Sequence, residues 1–253
     1  MSAFFLSLTS GVFIGAAAGY LGTLMLSRRM ALVAGPLGHL TLPGIALALV
    51  WGFDVSIGAF PFVILGVIVI WLLERKTRLP MEALTAFVFA SGVAIAFLFL
   101  PIEQVEAALV GDISRIGFLG TAVSVLTSLA IILVLRRASP RLILVNVSEE
   151  LAAAEGISAR RYNLLYLFLI AVIVALGVRM VGGLLTAALV AIPPCAARNV
   201  GRNLKQYTLG AVSVGAGSAA LGVVLSEILG YPAGPLIVLV SSAVFLITVP
   251  LAR

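Results

Sequence analysis

Nine apolar runs follow one another along the chain, at Phe4 to Leu26, Leu37 to Trp51, Ile57 to Leu73, Met81 to Leu100, Gly117 to Leu135, Tyr162 to Val178, Val181 to Pro194, Thr208 to Ser226 and Gly234 to Val249. Most approach or reach the ~20 apolar residues that carry a helix across a bilayer. Polar residues gather between them: Arg28 and Arg29, Asp54, Glu74 to Arg78, then Glu103, Glu106 and Asp112. Further on come Arg136 to Arg161, Arg179, the group Arg198, Arg202 and Lys205, then Glu227, and Arg253. The pattern predicts an all-α membrane protein, a polytopic helical bundle of about eight or nine transmembrane helices, with residues 1–253 forming a single transmembrane domain.

The sign of the connecting charges alternates, and only Arg179 breaks the alternation. Because Lys and Arg concentrate in cytoplasmic loops, the Arg28, Arg75, Arg136 and Arg198 connections are expected inside, and those at Asp54, Glu103 to Glu106 and Glu227 outside. The N-terminus is then outside and the C-terminus cytoplasmic, in the cytoplasmic membrane.

Composition agrees with lipid as the solvent. Hydrophobic residues make up 62% of the chain and charged ones 10%, against about 25% charged in soluble domains. The mean hydropathy is +1.23. The net charge of +6 follows from cytoplasmic loops and gives no reason to expect nucleic acid as a partner. A single cysteine, Cys195, excludes an internal disulfide and a Cys-rich metal centre. Met1 to Thr9 holds no Lys or Arg, so the first run is expected to stay attached as a helix. The chain contains no GxxxxGK[ST] loop, HExxH helix or GxSxG elbow, so it has no recognisable ATP site and no enzyme motif of these kinds. Its acidic residues nearest the spans, Glu82 and Glu227, sit at segment ends, which weighs against a proton-driven carrier.

Four stretches are irregular. Val181 to Ile192 is short, begins with Gly182 and Gly183, and is followed by Pro193 and Pro194, which are expected to end a helix. It reads as a tilted crossing, a half-helix lining a cavity, or a short helix buried by its neighbours. Gly11, Gly15 and Gly19 share one helix face and permit a close backbone approach, either within the subunit, the weightier reading, or across a dimer seam. Ser148 to Gly156 reads as a short cytoplasmic helix capped by Ser148, with Glu149 and Glu150 at its positive end and Gly156 as its stop. It is either a docking element or a solvated linker.

The fourth stretch surrounds the only histidine, His39. Ten residues beyond Arg29, at 1.5 Å rise per residue, put it about 15 Å deep, close to the bilayer midplane. An imidazole there needs a partner, either a neighbouring carbonyl or a permeating ligand. Gly35 and Pro36 before it, and Pro43 and Gly44 after it, allow bends on both sides and favour a segment that lines a pathway.

Here the sequence resembles a known family. Arg28-Arg29-Met30-Ala31-Leu32-Val33-Ala34-Gly35-Pro36-Leu37-Gly38-His39-Leu40-Thr41-Leu42-Pro43-Gly44-Ile45-Ala46-Leu47-Ala48 resembles the signature of permeases from zinc/manganese/iron-type ABC importers. Leu109 to Ile113, Glu149 to Ile157 and Val181 to Arg198 are similar to further motifs of that family, in the same order. The resemblance implies a permease domain over the whole chain that moves a divalent metal ion by alternating access. It also implies a homodimer or pseudo-dimer, a cytoplasmic ATP-binding subunit, an extracytoplasmic metal-binding protein, and no permanently bound cofactor. His39 is then the metal-contacting residue, with Gly35, Pro36, Thr41, Pro43, Gly44, Pro193 and Pro194 as pathway or hinge positions. Arg198, Arg202 and Lys205, with Glu149 and Glu150, are the candidate ATPase-coupling residues, against ordinary positive-inside anchoring as the other reading of the cations.

The sequence departs from the family pattern at one telling position. Where the family has an Asp four residues before the His, on the same helix face, this chain has Gly35. A neutral imidazole cannot compensate a divalent charge in a low-dielectric passage. The first reading is a weak, transient site made by two His39 side chains of a dimer, helped by Thr41 or backbone oxygens. The others are a non-identical partner that supplies the carboxylate, or a cargo other than Mn²⁺ or Zn²⁺. Cys195 and Met180 are soft ligand candidates, with packing as the weightier reading of each as a lone residue. The alternatives to an ABC permease for metal are a longer siderophore- or cobalamin-type permease, a secondary carrier or channel working without an ATPase, and a non-transporting scaffold.

Overall fold

Helices that are apolar on every side have no face to turn to water, and this chain is built from them. The computed structural model describes residues 3–27, 34–53, 55–77, 79, 81–99, 113 and 116–252. Arg28, Arg29, Asp54, Arg78, Glu103, Glu106, Asp112 and Arg253 lie outside the described residues, as do Met30 to Val33 and Leu109 to Asp112. Among the described residues the regular structure is helical: α1 Ala3–Ser27, α2 Ala34–His39, α3 Leu42–Trp51, α4 Val55–Thr77, α5 Met81–Phe99, α6 Phe118–Val147, α7 Glu149–Ala154, α8 Ala159–Val200, α9 Leu204–Leu229 and α10 Ala233–Thr248, closed by a 3-10 turn at Val249–Leu251. Among the described residues six segments are long and apolar enough to cross a membrane: Ala3–Ser27, Ile57–Thr77, Phe118–Val147, Ala159–Val178, Leu204–Leu229 and Ala233–Leu251.

Three elements differ from the pattern of runs. Leu37 to Trp51 is divided between α2 and α3 by a turn at Leu40 and Thr41. α6 does not stop at Leu135; it continues about three more turns through Pro140 to Val147, with Arg136, Arg137 and Arg141 exposed. Arg and Leu are good helix formers, so a helix can carry its charges beyond the apolar layer instead of ending there. α8 also runs on through Pro193 and Pro194 to Val200, and its break falls earlier, at Gly182.

α1 lies inside the bundle, packed against α6, α8 and α9. Its small-residue face is used within the subunit. A side chain on Gly15 would strike the backbone carbonyl of Gly215, and one on Gly19 the carbonyl of Ala211, both on α9. Without side chains the two antiparallel backbones touch, which is how helices associate where no hydrophobic effect separates them from lipid. Gly44 on α3 and Gly58 on α4 meet in the same reciprocal way. By contrast α6 turns Leu126, Leu129 and Leu133 outward, and α10 turns Leu239, Leu246 and Ile247 outward. Such a surface suits lipid.

Contacts at the helix ends fix the topology. The Tyr207 hydroxyl donates to the Thr23 carbonyl at 3.4 Å, and Asn146 Nδ2 to the Ser27 carbonyl at 3.4 Å. Asn199 Nδ2 donates to Thr248 Oγ1 at 3.1 Å, and Arg75 and Arg160 stack on the ring of Trp71 at 4.8 and 5.5 Å. These bonds gather the C-terminal ends of α1, α4, α6 and α10 with both ends of α8 and the start of α9. At the opposite end the Ser7 hydroxyl donates to the Ile113 carbonyl, and the Thr121 hydroxyl to the Leu6 carbonyl. The first turn of α1 and the last turn of α10 therefore lie at opposite ends of the bundle.

Candidate functional site

The break between α2 and α3 is tied down by its own backbone. Leu40 N donates to the Pro36 carbonyl at 3.2 Å, Thr41 N to that of Gly38 at 3.3 Å, and Ile45 N to that of Thr41 at 2.9 Å. The fully buried Thr41 hydroxyl also donates to the Gly38 carbonyl, so it closes the turn. Pro43 follows in the first turn of α3, where a missing N–H costs nothing. Gly44 brings α3 against α4 at Gly58. Gly35 and Pro36 lie in the first turn of α2.

Leu40 sets the height of the break. Its two methyl groups face Gly66, at the middle of α4, and Gly92 on α5, where a Cβ would come within 2.5 Å of them. His39, one residue earlier, is half-buried, with its ring 5.2 Å from that of Phe89 on α5 at 45°. The only imidazole of the chain is thus held at a broken helix, level with the middle of its neighbours.

Among the described residues no group of three or more His, Cys, Asp or Glu side chains comes together. Met180 is fully buried, with its methyl near Gly11 of α1, and Cys195 is half-buried in the second half of α8.

α8 folds back on itself. Gly182 has φ 82° and ψ 167°, a conformation open essentially to glycine alone. A side chain on Gly177 would meet Thr186 Cγ at 2.9 Å, whereas nine residues of straight helix span about 13 Å. The chain therefore reverses at Gly182, and the Thr186 hydroxyl fastens the turn by donating to the Gly182 carbonyl at 2.6 Å. Pro193 and Pro194 are buried in the returning helix. Pro194 cannot donate to the Val190 carbonyl, and that oxygen is met instead by Gly22 of α1, which has no side chain to hold the helices apart.

The candidate coupling residues stand at one end. In α7, Ser148 Oγ accepts from Leu151 N at 3.2 Å, with Glu149 and Glu150 exposed in the first turn and Gly156 at φ 72° after the last. Arg198, Arg202 and Lys205 are exposed where α8 gives way to α9, and Asn203 caps α9 by accepting from Gln206 N at 2.8 Å. Asn146 before α7 and Tyr207 after Lys205 both bind the last turns of α1, so both groups belong to the same end of the bundle. The gap that receives Leu40, the Phe89 ring and the pairing of Gly22 with Val190 had no signal in the sequence, because each needs two distant helices to meet.

This arrangement, a bundle of apolar helices with one helix broken at mid-height, another folded back on itself and exposed charge at one end, is that of a membrane transport subunit. The ABC 3 transport family matches residues 2–252, and the chain belongs to it. The family resemblance of the motifs is borne out over nearly the full length. Similar relatives include the manganese import system permease protein ScaB of Streptococcus gordonii, 26% identical over 96% of this chain and 88% of its own. The high-affinity zinc uptake system membrane protein ZnuB of Buchnera aphidicola subsp. Schizaphis graminum is 24% identical over 94% of both chains. The chelated iron transport system membrane protein YfeC of Yersinia pestis is 26% identical over 92% and 81%. In fold the chain is similar to PsaBC from Streptococcus pneumoniae, solved in complex with Fab, with a TM-score of 0.82 at 24% identity over 96% of this chain and 89% of that one.

Proposed function

We propose that this chain is the membrane permease of an ATP-binding-cassette importer that moves a divalent metal ion, zinc, manganese or iron, across the cytoplasmic membrane. The observation that carries the reading is the family match over residues 2–252, joined by relatives named for manganese, zinc and chelated iron. ATP is hydrolysed by a separate cytoplasmic subunit, the ion arrives on an extracytoplasmic binding protein, and two permease copies enclose the pathway. The ion is cargo, not a resident cofactor. A carrier or channel without an ATPase has no observation in its favour.

In this reading nine segments cross the membrane: the six long helices, the α2–α3 pair, α5 and the returning half of α8. An odd number suits termini at opposite ends of the bundle, with the basic end cytoplasmic. His39 offers a neutral nitrogen lone pair to the ion at mid-membrane. With Gly35 in place of a carboxylate the site binds weakly, and weak binding is what lets an ion leave a pathway again. Movement of the ATPases reaches the bundle through α7 and the Arg198, Arg202 and Lys205 surface, and the breaks at Leu40–Thr41 and Gly182 are where helices change angle.

The test is uptake of labelled Mn²⁺, Zn²⁺ and Fe²⁺ by cells stripped of other importers and supplied with the permease, its ATPase and its binding protein. Uptake of one ion should depend on all three chains and fall at least about tenfold in His39→Ala. Undiminished uptake without the ATPase would overturn the reading in favour of a carrier or channel, and unchanged uptake by His39→Ala would remove the histidine from the pathway.

A further inference from the structure

A cavity of about 760 Å³ opens between α6 and the start of α8, at the basic end of the bundle. Its size is that of a small-molecule site. Arg137 and Arg141 line it from α6 and Arg161 from α8, against a single carboxylate, Glu155. Three cations and one anion leave two positive charges in excess. Arg137 and Arg141 are one helical turn apart and so share a face. Arg141 Nη1 donates to the Tyr162 hydroxyl at 3.0 Å, which ties its guanidinium to α8 and leaves its other N–H groups for a ligand. The positive end of α8, beginning after Ser158, opens into the same space.

Apolar side chains line it beside the cations: Val134 and Ala138 on the same face of α6 as Arg137 and Arg141, and Leu165 on α8. Next to these residues α6 exposes Leu133, Leu129 and Leu126, and α8 exposes Leu164 and Phe168. Leu133, Arg137 and Arg141 lie one turn apart on a single stripe of α6, so the cationic floor passes directly into the lipid-facing slope. A soluble anion would satisfy the arginines and leave the apolar side chains bare. A phospholipid satisfies both.

We propose that this cavity binds the phosphate headgroup of an anionic phospholipid from the leaflet at the basic end, with an acyl chain lying along Leu133, Leu129 and Leu126. The inference rests on the chain spanning a membrane and is independent of its cargo.

The full-length permease, delipidated in neutral detergent, is titrated with phosphatidylglycerol or phosphatidylcholine and read by native mass spectrometry. The first phosphatidylglycerol should bind more tightly than the first phosphatidylcholine. Taking about 1 kcal/mol per basic residue near an anionic lipid, each of Arg137→Gln, Arg141→Gln and Arg161→Gln should lower that preference about fivefold. Lysine at the same positions should retain most of it. Glu155→Gln should raise the preference, an outcome that loss of folding cannot imitate. Equal binding of the two lipids by the wild type would overturn the proposal. Displacement of the lipid by excess inorganic phosphate would assign the cavity to a soluble anion, and displacement by the ATPase subunit would assign it to protein docking; either result overturns it. Because neither metal nor ATP hydrolysis enters the measurement, a negative result leaves the transport reading standing.

Discussion

Leu40 is held by what its neighbours lack. One of its methyl groups occupies the space a Cβ on Gly66 would need, and the other the space a Cβ on Gly92 would need. Gly66→Ala should therefore cost about 1–3 kcal/mol by overpacking, seen as a lower melting temperature of the purified protein, and Leu40→Ala in the same chain should recover part of the loss. A rescue that fails to appear would mean that the two residues do not meet. The residue beside it, His39, was legible from type and surroundings, since one imidazole between two Gly-Pro bends invites a functional reading. The slot for Leu40 was not, because α4 and α5 make it together. Gly35 carries a second expectation. Restoring the carboxylate with Gly35→Asp should increase retention of metal by the purified complex, measured by elemental analysis beside the wild type, because the site gains the negative charge that a divalent ion needs.

At the level of elements, local rules succeeded where the cause was local. Ser148, Glu149, Glu150 and Gly156 specify α7 through capping and helix-end charge, and the helix is found where they put it. The same rules failed at Pro193 and Pro194, through which the helix runs on, with the carbonyl that Pro194 frees covered from outside. Gly22 reaches Val190 from another helix, and nothing within α8 announces it. The true break, Gly182, follows from a conformation that other residues avoid. Gly182→Ala should cost about 1–3 kcal/mol of strain, lowering thermal stability in detergent. An unshifted transition would mean that the chain does not turn there.

For the molecule as a whole, the alternation of charge along the sequence already ordered the crossings, and the fold joins most of the described cations at one end. Which helices touch was hidden, since runs that are apolar on all sides do not say which side is inward. The arrangement of the termini can be checked by impermeant thiol labelling in a Cys195→Ser background. Ala3→Cys should react from outside the cell and Ala252→Cys only after the membrane is opened. Labelling of both from one side would require an even number of crossings and would overturn the topology.

The seam between α1 and α9 also has a history in time. Gly15 is made roughly two hundred residues before its partner Gly215. At about 5–20 residues per second the ribosome takes some 10–40 s to supply it. Through that interval the first helix stands in the bilayer with its backbone groove uncovered, free to pair with any other small-residue face. Completion of the subunit is thus a late event in synthesis, and a nascent chain halted before α9 would offer that groove to the quality-control machinery of the membrane.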